Sequence, residues 1–403
     1  MEMSLEKQLD IIKRGAVEIL PMDELVKKLE KSIRNNKPLK VKLGLDPSAP
    51  DIHLGHTVVL QKLKQFQDLG HEIILIIGDF TGRIGDPTGK STTRKQLTEE
   101  EINKNAETYK KQIFRILDPK RTEVVYNSHW LANFKFEDVI RLAAKTTVAR
   151  ILERDDFKKR YEDNQPIGIH EFFYPLMQGY DSVELKADIE LGGTDQKFNL
   201  LMGRNLQKEY GQEGQIALMM PILEGLDGIM KMSKSLNNYI GVEDSPKEMF
   251  GKVMSIKDEL IIRYFKLVTQ LSNEEINIME QEMTRGKNPR DYKIKLAKTI
   301  IGQYHNASDA IKAEEEFINI FSKNQMPENI DEIELMVDGD GNYWVPKLLQ
   351  ILGLVNSTSD GKRVFDQSGV KINGEKITEV NIKVENAMVI QVGKRKFAKI
   401  IIK

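Results

Sequence analysis

The chain has 403 residues and a formal net charge of −1, so overall charge draws it to neither nucleic acid nor a membrane surface. Its 40% hydrophobic and 30% charged residues are typical of a globular protein with a large core, and its length predicts two or three domains. Cysteine is absent, which excludes disulfides, thiolate catalysis and cysteine-ligated zinc. Residues 1–15 lack a signal-peptide run and no stretch reaches 18 apolar residues, so we expect a cytoplasmic protein with no membrane partner.

Apolar runs and amphipathic segments alternate through the first half of the chain. Val41–Leu45 and Glu72–Gly78 are predicted to be buried strands on either side of a helix at Gly55–Leu69, which is a βαβ unit of a parallel sheet. Further helices are predicted at Glu99–Leu117, Phe136–Ala144 and Phe198–Tyr210, and further strands at Glu123–Tyr126, Ala187–Leu191 and Gln215–Met219. The pattern predicts a doubly wound, Rossmann-like α/β catalytic domain over residues 1–225.

The second half of the chain has a different pattern. Helices without strands are predicted at 246–254, 258–270, 273–285, 290–305 and 307–322, within an α-helical domain over residues 226–325. Residues 326–341 are acidic and rich in Gly and Pro, and are predicted to be a linker. Residues 342–403 are predicted to form a small α+β domain, with a helix at Val345–Leu352 and strands around Val370–Ile372, Ala387–Val392 and Phe397–Ile402. This tail has 11 Lys and Arg against 5 Asp and Glu, which predicts a local contact with a polyanion such as RNA.

The segment His53-Leu54-Gly55-His56 lies where the first predicted strand gives way to the first helix. Ligands of open α/β sheets bind beyond the carboxyl ends of the strands, and the free N–H groups of a helix favour a phosphate there. Gly55 leaves room for a nucleotide, and both imidazoles could donate to phosphate or ribose oxygens. The alternatives are surface histidines without function and a metal pair, although the six histidines show no evident third ligand.

Two basic segments complete a predicted triphosphate site. Gly82–Lys90 resembles a phosphate loop but lacks the Walker spacing, and Pro87 removes a backbone donor. Lys90 and Arg94 could both reach one anion, and the alternative is a solvated basic stretch. Lys231–Ser235 carries two lysines three residues apart, which suit a mobile clamp for charge that moves during a reaction. The alternative for this segment is an exposed polar turn.

A third group of residues suits a small substrate. Tyr174, Gln178 and Asp181 lie at i, i+4 and i+7, which places them on one helical face. Such a face fits a pocket for a small, polar and partly aromatic molecule, and the alternative is a solvent-exposed face. Gly192–Gln196 follows another predicted strand, where its glycines permit close approach and Asp195 could accept from ribose hydroxyls.

Together these residues resemble the class I aminoacyl-tRNA synthetases, and within them the bacterial tyrosyl-tRNA synthetases, over the full length of the chain. Pro47–His56 resembles the first signature of the class, and Lys231–Ser235 matches the second without a change. Gly85–Lys90, the Tyr174–Gln178–Asp181 face and Gly192–Gln196 separate the tyrosine branch from its tryptophan relative. The tail is similar to a small RNA-binding domain shared with a ribosomal small-subunit protein.

The resemblance implies a two-step reaction. The carboxylate of L-tyrosine attacks the α-phosphate of ATP to give tyrosyl-adenylate and pyrophosphate, and tyrosine then passes to the 3′-terminal ribose of its tRNA. ATP is a substrate accompanied by Mg²⁺, and no tightly bound protein metal is expected. The expected partners are the tRNA for tyrosine, L-tyrosine, ATP and a second copy of the chain in a homodimer.

The resemblance also implies three overlapping groups of site residues. The residues expected to be catalytic are Ser48, His53, His56, Lys90, Arg94, Lys231 and Lys234, of which His56 would meet the ribose and the others the phosphates. The residues expected to bind ATP are Asp46, His56, Gly193, Asp195, Lys231 and Lys234. The residues expected to bind tyrosine are Lys42, Asp86, Tyr174, Gln178, Asp181 and Gln196.

Within the tyrosine-binding group, Asp86, Tyr174 and Gln178 would hold the substrate ammonium, and Gln196 would lie near its carboxylate. Asp181 would accept the phenolic proton and select against phenylalanine, because a buried acceptor left unpaired costs free energy. At the phosphates, four residues of the catalytic group would close over the departing pyrophosphate: Lys90, Arg94, Lys231 and Lys234.

Two positions depart from the usual family pattern. Lys42 stands where many members have a tyrosine beside the substrate hydroxyl, and Leu43 stands where they have a cysteine near the ribose. We hypothesise that Lys42 donates to the phenolic oxygen while Asp181 accepts its proton; the alternative is that Lys42 only pairs with Asp181. Leu43 removes one polar contact with the ribose.

Three other functions fit parts of this pattern. Tryptophan activation on the same fold is disfavoured by Asp181, since indole donates from a differently placed nitrogen. A nucleotidylyltransferase shares the His53–His56 segment but does not need Lys231–Ser235, a helical domain and a basic tail. A non-catalytic RNA-binding relative should have lost its active-site charges first, yet the basic residues are present.

Overall fold

The computed structural model describes residues 3–47, 52–86, 98–322, 330–336, 341–393 and 396–402. Backbone contacts divide the chain into two compact units, Met1–Ala310 and Ile311–Lys403. Within the ranges just given, every helix is either too short or too polar to cross a membrane.

A six-stranded sheet forms the centre of the first unit, in the order β1-β6-β5-β2-β3-β4. Its strands are β1 Glu18–Leu20, β2 Lys40–Leu45, β3 Glu72–Ile77, β4 Thr122–Tyr126, β5 Ile189–Gly193 and β6 Ile216–Met220. β2 to β6 run parallel to their neighbours, and the short β1 joins the edge antiparallel to β6. The predicted doubly wound α/β fold is confirmed, and β1 is the strand that was not predicted.

Helices cover both faces of this sheet and then continue without strands. The helices that accompany the sheet are α1 Leu5–Lys13, α2 Met22–Asn35, α3 Leu54–Asp68, α4 Thr81–Ile84, α5 Glu99–Ile113, α6 Ser128–Leu131, α7 Phe136–Ala143, α8 Val148–Ile151, α9 Asp155–Glu162, α10 Ile169–Leu185 and α11 Lys197–Glu209. The later helices are α12 Pro246–Ser255, α13 Ile261–Val268, α14 Asn273–Thr284, α15 Pro289–Tyr304 and α16 Ala307–Ser322. A capping box between Ser245 and Glu248 begins α12, with Pro246 at its first position.

Two glycines let α10 and α11 approach closely. A Cβ on Gly179 would lie 3.2 Å from the backbone nitrogen of Gly203, so no larger residue fits there without moving the helices. A Cβ on Gly203 would lie 2.7 Å from Ser182 Oγ of α10 and 2.6 Å from Gln215 Nε2. This contact holds the face of α10 that bears Tyr174, Gln178 and Asp181 in a fixed position.

The second unit begins inside α16 and continues as a small α+β body. Its strands are β7 Glu332–Leu335, β8 Asn342–Trp344, β9 Val370–Ile372, β10 Glu375–Lys376, β11 Asn381–Lys383, β12 Val389–Val392 and β13 Lys396–Ile402, and its helices α17 Val345–Ile351 and α18 Thr358–Asp366 follow β8. Five of the strands form a sheet in the order β10-β9-β12-β13-β7, and β11 pairs with β8. Buried aliphatic residues such as Leu348, Ile390 and Ile400 form its core.

One segment of this unit differs from its prediction. Glu332–Leu335 lies inside the predicted linker 326–341 but forms β7, which pairs parallel with β13. Its partner β13 is more than 60 positions away in the sequence, so no local signal indicates the pairing. The acidic residues and glycines around Glu332–Leu335 are instead typical of a linker. Leu335 is buried in the core of the second unit, and its burial anchors β7 to that core.

Replacing Gly203 with alanine is expected to lower the free energy of unfolding by about 2 kcal/mol, because the added methyl group overpacks the contact between α10 and α11. Gly251→Ala is the matched control, since Gly251 also lies inside a helix but a Cβ there meets no atom within 4 Å. That control should gain about 0.5–1 kcal/mol from the better helix propensity of alanine. Chemical denaturation followed by circular dichroism measures both, and equal stabilities would contradict the packing argument.

Candidate active site

A cavity of about 250 Å³ opens at the carboxyl ends of the parallel strands. Its walls come from β2, the segment after β3, the inner face of α10, and the segment that follows β5. The predicted site residues that line it are Asp46, His56, Asp86, Tyr174, Gln178, Asp181, Gly193 and Gln196. Three others, Ser48, Lys90 and Arg94, lie outside the described residues, and their roles stay predictions.

Asp46 lies at the end of β2 and is held by two hydroxyl groups. Tyr174 of α10 donates its hydroxyl to Asp46 Oδ2 at 2.9 Å, and Thr81 donates to Asp46 Oδ1 at 2.8 Å. A Cβ on Gly78 would lie only 1.9 Å from Asp46 Oδ1, so glycine is required after β3. The carboxylate therefore has one fixed orientation at the edge of the cavity.

Asp181 is buried in the cavity wall, with two donors from the segment after β4. Trp130 Nε1 donates to Asp181 Oδ1 at 2.8 Å, and Asn127 Nδ2 lies 3.4 Å from Oδ2. Burial raises the pKa of the Asp181 carboxyl to about 7, although the charge of Lys42 and these two hydrogen bonds oppose the shift. Trp130 and Asn127 were not predicted, but the rule that ligands meet the ends of parallel strands points to the end of β4.

Asp86 and Gln196 are joined in a polar network that two further residues organise. Gln196 Nε2 donates to Asp86 Oδ2 at 2.7 Å, and Arg154 Nη2 lies 3.0 Å from Asp86 Oδ1. Arg154 also contacts Asn199 Oδ1, and Asn199 Nδ2 donates at 2.9 Å to both Gln178 Oε1 and Gln196 Oε1. Arg154 and Asn199 were not predicted, because nothing near them in the sequence marks a site.

Lys42 does not occupy the predicted position. Its Nζ lies 3.0 Å from Glu190 Oε1 and 3.3 Å from the backbone oxygen of Gln178, and it is not among the described residues that line the cavity. The structure therefore pairs Lys42 with Glu190 rather than with Asp181, and its bond to the substrate hydroxyl stays a prediction. The reason is register: Lys42 of β2 and Glu190 of β5 are direct neighbours on adjacent strands. Leu43 does line the cavity, as an apolar wall.

His53 and His56 stand at the first turn of α3 and cap it. His53 Nδ1 accepts from the backbone N–H of Gly55 at 3.1 Å, and His56 Nδ1 accepts from the backbone N–H of His53 at 3.3 Å. Burial, together with the positive charge of Lys234, lowers the pKa of His53 to about 3 and that of His56 to about 4. Because each Nδ1 is an acceptor in a neutral ring, each Nε2 carries a proton and is a donor.

The lysine loop Lys231–Ser235 is held against the histidine segment by the backbone. Residues on either side of His53 pair with the segment after the loop: Leu54 N–H donates to the oxygen of Ile240 at 2.9 Å. Just after the loop, buried Asn238 accepts from Ser233 N–H at 2.8 Å and donates to the oxygen of Lys231 at 3.1 Å. The two segments that the sequence singled out are therefore brought together.

Asp195 lies close enough to the lysine loop for the charge of Lys231 to affect its pKa. Burial and the nearby charge of Asp86 raise the pKa of Asp195, while the charge of Lys231 opposes them. A Cβ on Gly193 would lie 2.5 Å from Asp195 Oδ1, so the glycine leaves room for the carboxylate. The groups predicted to meet a ribose and a triphosphate are thus close enough to influence one another.

The fold and this arrangement define the class of protein. The family model described as tRNA synthetases class I (W and Y) matches residues 34–322, more than two thirds of the chain. The chain therefore belongs to the class I tRNA synthetases of this family, as the sequence predicted.

Relatives narrow the family to its tyrosine branch. The tyrosine–tRNA ligase of Carboxydothermus hydrogenoformans is 62% identical over 404 residues, with 98% of each chain covered. That of Moorella thermoacetica is 58% identical over 403 residues, with 99% of this chain and 97% of the relative covered. A solved tyrosyl-tRNA synthetase of Archaeoglobus fulgidus, in complex with L-tyrosine, is 26% identical, has a TM-score of 0.63 and covers 77% of this chain and 99% of its own. Within the family, the chain belongs to the tyrosine–tRNA ligases.

The pKa of Asp181 predicts a pH-dependent choice of substrate. A hydroxyl donates best to the ionised carboxylate, and because the pKa is raised to about 7, that form is lost as the pH falls through 7. The ratio of kcat/KM for tyrosine to that for phenylalanine should fall by up to about tenfold per pH unit below this point. Amino-acid-dependent pyrophosphate exchange between pH 5.5 and 8.5 measures the ratio. Asp181→Asn removes the titrating group and should flatten the profile; a slope that survives in this variant would assign the titration to another group.

Proposed function

We propose that this chain makes tyrosyl-adenylate from L-tyrosine and ATP and then transfers tyrosine to the 3′ end of its tRNA. The observation that carries the proposal is one cavity with two sets of acceptors held by separate partners. Asp181 is held by Trp130 and Asn127, whereas Asp86 is held by Gln196 and Arg154. A substrate with a phenolic hydroxyl and an ammonium group needs two such sets.

The amino-acid end of the proposed site uses acceptors only where the substrate has donors. Asp181 accepts the phenolic hydroxyl in addition to its bonds from Trp130 and Asn127, and a substrate without this hydroxyl leaves one acceptor position of the buried carboxyl unfilled. Asp86 and Gln178 Oε1, both in the cavity wall, accept from the ammonium, and the Tyr174 oxygen is beside them. Gln196 lies next to Asp86, where the carboxylate of the substrate follows its ammonium.

The ATP end of the proposed site needs alignment and cations rather than acid–base chemistry, because the attacking carboxylate is already a nucleophile. His53 and His56 are neutral and donate through Nε2 without adding a charge that must be desolvated. Lys231 and Lys234 place positive charge where the charge of pyrophosphate develops. Asp46, Gly193 and Asp195 are proposed to hold the rest of the nucleotide, with Ser48, Lys90 and Arg94 as further phosphate contacts.

We place Mg²⁺ on the phosphates of ATP rather than on the protein. In the part of the chain that the structure describes, no three His, Asp or Glu side chains converge as a metal site would require. An ion that arrives with ATP would neutralise part of the phosphate charge, and the lysine loop would supply the remaining positive charge.

Pyrophosphate exchange into ATP tests the first step. Tyrosine is expected to support exchange with a kcat/KM at least about tenfold above that for phenylalanine or tryptophan, the cost of leaving a buried acceptor unpaired. A preference for tryptophan would move the chain to the other branch of the family. Purified protein that exchanges with no amino acid, although it is folded by circular dichroism, would favour a non-catalytic RNA-binding relative.

The second unit is proposed to bind the tRNA, together with the helices α12 to α16. Support comes from the excess of basic residues in 342–403 and from the resemblance of this tail to a small RNA-binding domain. Each Lys or Arg that meets a phosphate releases counterions, so this contact should weaken with salt.

Deleting residues 323–403 should spare tyrosine-dependent exchange and lower kcat/KM for tRNA aminoacylation by at least about tenfold, because only the second step uses tRNA contacts. The cut precedes β7, which would otherwise remain without its partner β13. Exchange and aminoacylation are measured on the same preparation. Equal loss of both activities would show that the tail supports the catalytic domain instead.

We also propose a cytoplasmic location, because bacteria charge tRNA in the cytoplasm.

We further propose that the chain forms a homodimer. The dimer is supported by large apolar side chains that α7, α8 and α10 leave exposed: Phe136 is 80% exposed, Val148 62% and Ile169 77%. Exposed apolar residues of this size are enriched at contacts between subunits.

A further inference from the structure

Lys42 and Glu190 form an ion pair that the proposed reaction does not use. Both side chains are almost fully buried, at 0% and 1% exposure, on adjacent strands beneath α10. Removing two charges from water costs several kcal/mol, and an apolar pair of similar size is often as stable or more stable. Stability alone therefore does not account for a charged pair at this position.

The contacts of Glu190 point to Gln178, one of the residues proposed to hold the substrate ammonium. Glu190 Oε1 accepts from Lys42 Nζ at 3.0 Å and from Gln178 Nε2 at 3.1 Å. Glu190 Oε2 accepts from Ser182 Oγ at 3.3 Å and from Gln215 Nε2. Lys42 Nζ also contacts the backbone oxygen of Gln178 at 3.3 Å, so the pair contacts both the main chain and the side chain of this residue.

The chemistry of the pair determines which way the Gln178 amide points. An ionised carboxylate can only accept hydrogen bonds, so the Gln178 group that faces Glu190 must be the NH₂ group. The oxygen Oε1 then faces the other way, where Asn199 Nδ2 donates to it at 2.9 Å and one lone pair remains. Asn199 uses one of its two N–H groups for this oxygen and the other for Gln196 Oε1, while Glu190 holds the nitrogen end of the Gln178 amide.

We infer that the buried Lys42–Glu190 pair is a positioning device for the amino end of the substrate, which fixes the Gln178 amide with its oxygen, not its nitrogen, toward the ammonium. The inference rests on the proposed role of Gln178 at the tyrosine ammonium. An ammonium group has only donors, so an amide turned the other way would present N–H groups to it and repel it. The Lys42 ammonium offsets the negative charge of the Glu190 carboxylate at 3.0 Å.

The double variant Lys42→Met/Glu190→Met tests the inference, since it removes both charges and leaves no buried ion unpaired. Its KM for tyrosine in pyrophosphate exchange should rise about tenfold, the loss expected from one weakened hydrogen bond to a charged group. Its kcat and its KM for ATP should stay close to the wild-type values. Glu190→Gln is the second variant, in case the first does not fold; it keeps the size of Glu190 but can present an N–H group to Gln178.

Two competitive inhibitors separate positioning from a general structural role. Tyramine keeps the ammonium of tyrosine, and 3-(4-hydroxyphenyl)propionate lacks it. The inhibition constant of tyramine should rise with the KM for tyrosine in both variants, whereas that of the propionate should not change. If both constants rise equally, the pair supports the cavity as a whole and the inference is wrong; if neither rises, the inference is wrong as well.

Lys28→Met is the matched control. Lys28 is also nearly buried, and its Nζ pairs at 3.0 Å with Asp188, two residues before Glu190. This control should keep the wild-type KM for tyrosine and both inhibition constants. Wild-type protein without tyrosine-dependent exchange would overturn the proposed function and this inference with it, whereas wild-type exchange with unchanged variants would overturn the inference alone.

Discussion

The close contact between α10 and α11 is the constraint on which the rest of the site depends. Gly179 and Gly203 remove the side chains that would separate the two helices, so α10 packs directly on α11. In this position Tyr174 reaches Asp46 and Gln178 reaches Glu190. A wider spacing would leave the same residues on the same helical face without their partners.

Several carboxylates lie in or beside the cavity: Asp86 and Asp181 line it, and Glu190 contacts the lining residue Gln178. Their partners differ: Glu190 pairs with Lys42 and Asp86 with Arg154, whereas among the described residues Asp181 accepts from the neutral groups of Trp130 and Asn127. Burial raises the pKa of Asp181 to about 7, against the charge of Lys42 and the hydrogen bonds from Trp130 and Asn127. The site thus contains a carboxyl that can gain a proton near neutral pH.

Local patterns in the sequence predict most of this architecture. The strands from Val41–Leu45 onward, the face of α10 and the meeting of the histidine segment with the lysine loop follow from apolar periodicity, spacing and family resemblance. Partners set by strand order do not, since no local signal says that β2 lies beside β5. A lysine within one apolar strand and a glutamate within another indicate a buried pair, but only the register shows that Lys42 meets Glu190 rather than Asp181.

The backbone pairing between residues 52–54 and 240–242 has a consequence for how the chain folds. It closes a loop of almost 190 residues, and contacts of such long range form late because the entropy of closing the loop must be overcome first. We therefore expect the nucleotide end of the site to assemble after the sheet between these segments. A chain in which this pairing has not formed would lack the contact between the histidine segment and the lysine loop that is proposed to bind ATP.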